Sequence, residues 1–116
     1  MPSGASKALA GPFATQQLSL LGADVVKIER REGEDARRSP QHPAWDERLL
    51  SPSFQSVNGG KRSLTLDLQK PEAIEIVKRM TASADVVIEN FRPGVMDRLG
   101  IGYGALSKIN PKLIYC

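Results

Sequence analysis

The sequence predicts an α/β fold, a Rossmann-like and mostly parallel sheet with helices on both faces. Short runs rich in β-branched residues alternate with helix-patterned segments four times along the chain, and strands separated by helices pair in parallel through right-handed crossovers. The chain has 116 residues, enough for one domain with one core, so residues 1–116 are expected to form one domain or a piece of one.

Gly11-Pro12 opens a segment of helix formers, residues 13–21, with Phe13, Leu20 and Leu21 apolar and Gly22 as its stop. Residues 24–29, DVVKIE, have the β-branched content of a strand, and Gly22-Ala23 is a tight helix-to-strand connection. From about 30 to 60 the chain is rich in charge, proline and glycine, with no sustained period, and is expected to be a long loop with at most one helical turn. A loop of that length in a small domain points to function, here the covering of a ligand. Residues 63–67 alternate as a strand, and residues 71–80 form an amphipathic helix with Ile74, Ile76, Val77 and Met80 apolar and Pro71 in its first turn. A strand at 85–88, a short helix at about 93–99, a second at about 105–109 and a last strand at 112–116 complete the order.

Composition narrows the function. With 41% hydrophobic and 25% charged residues and no apolar run near the roughly 20 residues of a membrane span, no membrane role is expected. The opening MPSGASK lacks the apolar stretch of a secretory signal and the only cysteine is Cys116, so a reducing cytoplasm is expected. Net charge is +3 and the charges between Lys27 and Arg38 are of mixed sign, which favours a small anionic ligand over nucleic acid. His42 stands alone in a proline-rich loop and no metal-ligand cluster exists in the sequence. Asn58-Gly59-Gly60-Lys61 lacks the upstream glycine of a phosphate-binding loop, and Gly100, Gly102 and Gly104 follow a helix rather than a strand.

In a parallel sheet the carboxyl ends of the strands line one edge, where ligands bind. Three expected strand ends carry unusual residues: Glu29-Arg30-Arg31, Asp67-Leu68-Gln69, and the run ENFRPG from Glu89 to Gly94. Asn90 offers a donor and an acceptor, Phe91 a flat stacking face, and the arginines a fork for phosphate, which together suit a nucleotide. Asn and Pro-Gly after a strand also make a simple turn, Phe91 also suits a core, and surface arginines are common, so the residues alone leave both accounts open.

The blocks AGPFATQQLSLLGADVVKIER, NGGKRSLTLDL, ADVVIENFRPGVMDRLGIGY and NPKLIYC, in this order and spacing, resemble the N-terminal part of the class III CoA-transferases. That group includes the formyl-CoA and carnitinyl-CoA transferases and α-methylacyl-CoA racemase. The resemblance runs from about residue 7 to 116 and implies coenzyme A as the nucleotide, acyl-CoA and a carboxylic acid as substrates, and an interlocked homodimer. Carried over by position, Arg30 matches a phosphate-binding arginine. Leu66, Asn90 and Phe91 match contacts along the adenine and pantetheine path, and Arg98 and Leu99 a further arginine and apolar contact. Lys7 and Leu9 fall in the segment Lys7-Ala8-Leu9-Ala10-Gly11, which matches a loop near the thioester end. Lys7 and Leu9 depart from the residues usual there, and Gln69 stands where many members have a lysine.

Class III chemistry, as the resemblance implies it, is covalent: an aspartate attacks the thioester, and the mixed anhydride formed conserves the energy of the acyl group. Family members place that aspartate beyond a glycine-rich segment that follows the last block, and an apolar strand before the first. Neither is in this sequence, so the expectation is the incomplete N-terminal part of a larger domain, with no catalytic residue of its own. Asp67 and Glu89 are expected to be caps or ion-pair partners rather than nucleophiles. The alternatives are a racemase-like isomerase, which moves a proton next to the thioester, and a non-catalytic nucleotide-binding fragment.

Overall fold

Parallel strand pairing is what the computed structural model shows, over residues 3–38 and 42–116 with side chains from residue 10 onward. Among the described residues the strands form two two-stranded sheets rather than one. By its internal packing the chain divides into Met1–Leu66 and Asp67–Cys116.

In the first unit, helix α1 (Ser3–Leu20) precedes strand β1 (Val26–Glu29), and a 3-10 turn (Asp35–Arg37) and helices α2 (Pro43–Asp46) and α3 (Pro52–Ser56) lead to strand β2 (Arg62–Thr65). The helix is longer than the sequence predicted and contains Pro12 rather than starting after it. The run SGASKALA is dense in alanine and other helix formers, which offsets the single backbone bond a proline removes. Lys61 Nζ donates to the Pro12 carbonyl at 2.9 Å, and Thr15 Oγ1 donates to those of Gly11 at 2.9 Å and Pro12 at 3.1 Å. The helix ends as predicted at Gly22, whose φ of 101° lets its N–H reach Ser19 O while Ala23 N–H reaches Leu18 O.

The described residues of 30–60 hold more structure than a loop with one turn: a 3-10 turn and two short helices. Pro43 and Pro52 each start a helix, the second capped by Ser51, whose hydroxyl accepts from Phe54 N–H at 3.2 Å. Helix α2 closes on Leu49 in the left-handed region at φ 57°, a strain of roughly 1–2 kcal/mol for a residue with a Cβ. Phe54 and Val57 are buried apolar residues of this unit, and Ser51 is fully buried. Strands β1 and β2 pair in register from Val26 with Arg62 to Glu29 with Thr65.

In the second unit, helix α4 (Pro71–Thr81) forms where predicted, but of the expected apolar positions only Val77 is buried; Ile74 and Met80 are half-buried, Ile76 is exposed, and Ala73 and Thr81 complete the buried face. Glu72 in its first turn and Lys78 and Arg79 in its last complement the helix dipole. Strand β3 (Val86–Val87) leads through α5 (Val95–Arg98) and α6 (Tyr103–Ile109) to strand β4 (Ile114–Tyr115), which pairs with β3 in parallel. The core is Ala73, Val77, Met96, Ile101, Leu106 and Leu113. Fully burying Ile101 and Leu106 contributes about 1.5–3 kcal/mol each. Asn110 Nδ2 ties the end of α6 to that of α4 through Thr81 O at 3.1 Å and Ala84 O at 2.7 Å. A side chain at Gly102 would press on the Asp97 carboxyl, which would have to turn away.

Candidate functional site

The expected site residues divide between the units. Arg30 and Leu66 belong to the first; Asn90, Phe91, Arg98 and Leu99 to the second. The backbone of residues 7–11, expected as a loop, is helical in α1. The side chains of Lys7 and Leu9 lie outside the described ones.

Arg30 and Leu66 meet at the carboxyl edge of β1 and β2, because Leu66 N–H continues the ladder to Glu29 O at 2.8 Å. Just past β1 the chain folds over itself: Gly33 N–H reaches Arg30 O at 3.0 Å, and Arg30 Nε donates to Gly33 O at 2.9 Å. One edge of the guanidinium is thereby fixed, and its Nη2 pairs with Asp35 at 2.6 Å. Both members of that pair are open to solvent, at 57% and 81% exposure. An exposed pair of this kind contributes roughly 0–1 kcal/mol, so an anion that offers a better acceptor can replace Asp35.

Beneath Arg30 lies a pair that the sequence did not reveal. Glu29, the last residue of β1, is buried, and its carboxylate receives Arg37 Nη2 at 2.6 Å and Nε at 2.7 Å. It also accepts Glu34 N–H at 3.2 Å and the Ser63 hydroxyl at 3.4 Å. Burial pushes the Glu29 carboxyl up, but the Arg37 hydrogen bonds, the Glu34 N–H and the charges of Arg37 and Lys27 more than offset it, leaving its pKa below the ordinary value. The Arg37 pKa is raised, chiefly by its hydrogen bond to Glu29. Arg37 Nη1 also donates to Leu49 O at 3.1 Å, and its guanidinium lies 3.9 Å from the Phe54 ring centre. Lys61, half-buried, has its pKa lowered to about 8, first by burial and then by the charge of Lys27.

In the second unit the ladder of β3 runs on to Glu89, whose N–H donates to Cys116 O at 2.9 Å. The Glu89 carboxylate then turns back: Oε2 accepts Phe91 N–H at 2.7 Å and Oε1 receives the Tyr115 hydroxyl at 3.4 Å. That bond shapes the turn carrying Asn90 and Phe91, and Phe91 is 45% exposed rather than core. Tyr103 packs edge-on against Tyr115 with ring centres 5.9 Å apart. Arg98 is exposed in the last turn of α5, and Leu99, half-buried, closes that helix through its N–H to Val95 O at 3.0 Å. Asp67 Oδ1 accepts Gln69 N–H at 3.0 Å, so both strand-end carboxylates accept backbone N–H groups of the turns that follow them. No group of three or more potential metal ligands exists among the described residues.

A signal for part of this network was present in the sequence. Ser51-Pro52 is a cap followed by proline at the first helical position. Nothing local pairs Glu29 with Arg37, which meet only because the intervening turn closes.

The family model for CoA-transferase family III matches residues 4–116. A succinate–glutarate CoA-transferase of Agrobacterium fabrum is 44% identical over 115 residues, covering 96% of this chain and 29% of that protein. A succinyl-CoA:mesaconate CoA-transferase of Haloarcula hispanica is 46% identical over 111 residues, covering 95% and 28%. The crystal structure of a CAIB/BAIF family protein from Brucella suis superposes with a TM-score of 0.81 at 44% identity, over 95% of this chain and 29% of that one. The chain thus spans less than a third of the length of these relatives, and it belongs to CoA-transferase family III.

Proposed function

We propose that this chain supplies the CoA-binding part of an enzyme that moves CoA between an acyl-CoA thioester and a free carboxylic acid. The observation that carries this reading is the carboxyl edge of β1 and β2, where a guanidinium fixed on one side by Gly33 and held on the other only by the exposed, exchangeable Asp35 stands beside the half-buried Leu66. That pairing suits a phosphate next to an apolar segment, and CoA has both. In the second unit, Asn90 provides the amide and the exposed Phe91 a stacking surface for a base. Arg98 adds a second cation and Leu99 an apolar contact. Lys7 and Leu9, in the first turns of α1, belong to the thioester end in this reading. The names of the relatives support the reaction class.

The same reading places the enzyme in the cytoplasm as an interlocked homodimer, with an acyl-CoA and a carboxylic acid as its small-molecule partners. Within it, the residues described here bind and orient CoA, while the nucleophilic carboxylate is supplied by another part of the protein. The test is Arg30→Ala in the native gene product, with CoA binding followed by calorimetry. Losing a charge-assisted contact to phosphate is expected to weaken binding by about 1–3 kcal/mol. Unchanged affinity would remove Arg30 from the site.

A further inference from the structure

The geometry points to Glu29 and Arg37 as positioning residues for Arg30, an inference that rests on the CoA reading above. Arg30 follows Glu29 directly, so its backbone direction is set by the residue that the buried pair anchors. The turn that holds Arg30 Nε is closed by Gly33 at a φ of 76°. Gly33 is itself hemmed in, because a Cβ there would lie 2.6 Å from Arg37 Cδ. Glu29 Oε2 holds the next residue, Glu34, by its N–H, and Asp35, the present partner of Arg30, begins the 3-10 turn that ends at Arg37. The two groups that hold the guanidinium, Gly33 and Asp35, thus flank Glu34, whose N–H the Glu29 carboxylate receives, in a turn that Arg37 closes and Lys27 braces through its ion pair with Glu34.

The opposite end of the pair is rigid as well. Arg37 is held by Leu49 O and by the face of Phe54, and Glu29 receives the Ser63 hydroxyl from β2. The device fixes Arg30 relative to the strand edge where Leu66 sits. A ligand that uses Arg30 meets a fork already turned toward it and loses less conformational entropy on binding. Lysine in place of Arg37 would keep the charge but could not serve both Glu29 oxygens and Leu49 O from one rigid plane.

The test is a double-substitution cycle on CoA affinity in the native gene product: wild type, Arg37→Lys, Arg30→Ala, and both together. If Arg37 acts through Arg30, Arg37→Lys weakens CoA binding roughly threefold to tenfold in the wild-type background and has no effect once Arg30 is alanine. An equal loss in both backgrounds means that Arg37 acts on the fold at large and overturns the inference. Full affinity in Arg37→Lys overturns it too. Glu29→Gln, taken through the same cycle, gives the same readout if Arg37→Lys does not fold. Should Arg30→Ala itself leave binding unchanged, the CoA role of Arg30 fails first, which separates that failure from failure of the positioning role.

Discussion

Replacing Arg37 with methionine isolates the energetic role of the buried pair, because methionine fills similar volume and carries no charge. Glu29, with its side chain only 4% exposed, would keep two weak contacts, the Glu34 N–H at 3.2 Å and the Ser63 hydroxyl at 3.4 Å. A carboxylate in that position can escape its unpaired charge by binding a proton. At pH 7, protonating a carboxyl of ordinary pKa 4.5 costs about 3.4 kcal/mol, and this sets the ceiling for the electrostatic part of the loss. At pH 5 the same ceiling falls to about 0.7 kcal/mol. Arg37→Met is therefore expected to lower stability by about 3 kcal/mol at pH 7 and by distinctly less at pH 5, read from urea midpoints at constant slope. The sign agrees with the wild-type shift. A carboxyl whose folded pKa is depressed contributes stability that is present above its unfolded value and lost as pH falls through the folded one. Adding Glu29→Leu should restore part of the loss, since an apolar pair leaves no charge behind. A cost below about 1 kcal/mol at pH 7, or one independent of pH, would refute the assignment of Glu29 as a charged, paired group.

Gly33→Ala should destabilise by about 1–3 kcal/mol in the same urea assay, because it puts a Cβ at a φ of 76° and against Arg37 Cδ; an unchanged midpoint would contradict this. Phe91→Ala should weaken CoA binding by about 1–2 kcal/mol with the far-ultraviolet circular dichroism intact, since the ring is 45% exposed; collapse of the spectrum would make Phe91 a core residue. Tyr115 has its pKa pushed up to about 12 by burial first, then by the Glu89 charge and hydrogen bond and by Asp97. The folded state thus keeps a proton that the unfolded state releases, and this contribution is present below pH 10 and lost as pH rises toward 12. Glu89→Gln should bring tyrosinate absorbance up at lower pH, and an unmoved titration would separate Tyr115 from Glu89.

The elements legible in the sequence were those whose causes are local. Periodicity and Pro71 placed the helix α4 and its start, but its buried face runs through Ala73, Val77 and Thr81, so that of Ile74, Ile76, Val77 and Met80 only Val77 is buried. Gly22 ended α1 because only a residue tolerant of positive φ closes that cap. The beginning of α1 was misplaced by treating Pro12 as a boundary, when alanine-rich sequence before it and the Lys61 contact to its carbonyl outweigh one missing donor. Proline misled in the opposite sense between 30 and 60, where Pro43 and Pro52 open helices and do not break them. The two-sheet partition was not legible, because period and composition identify strands without naming their partners.

The candidate site divides along the same line. That Arg30, Leu66, Asn90 and Phe91 stand at strand ends follows from parallel topology, which is why a sequence can place them. What fixes their direction is non-local. Glu29 and Arg37 find each other through a turn whose shape depends on Gly33, and Glu89 reaches Tyr115 only because β4 pairs with β3. The strand-end carboxylates show how chemistry and position part company. Asp67, Glu29 and Glu89 all stand at or just past the ends of strands, and each accepts a backbone N–H from downstream in the chain: Gln69, Glu34 and Phe91 respectively. A carboxylate so engaged gives up part of the lone-pair density that a nucleophile needs, and gains the ability to shape a turn. In each unit, then, the acidic residues at the strand ends shape the turns that follow them.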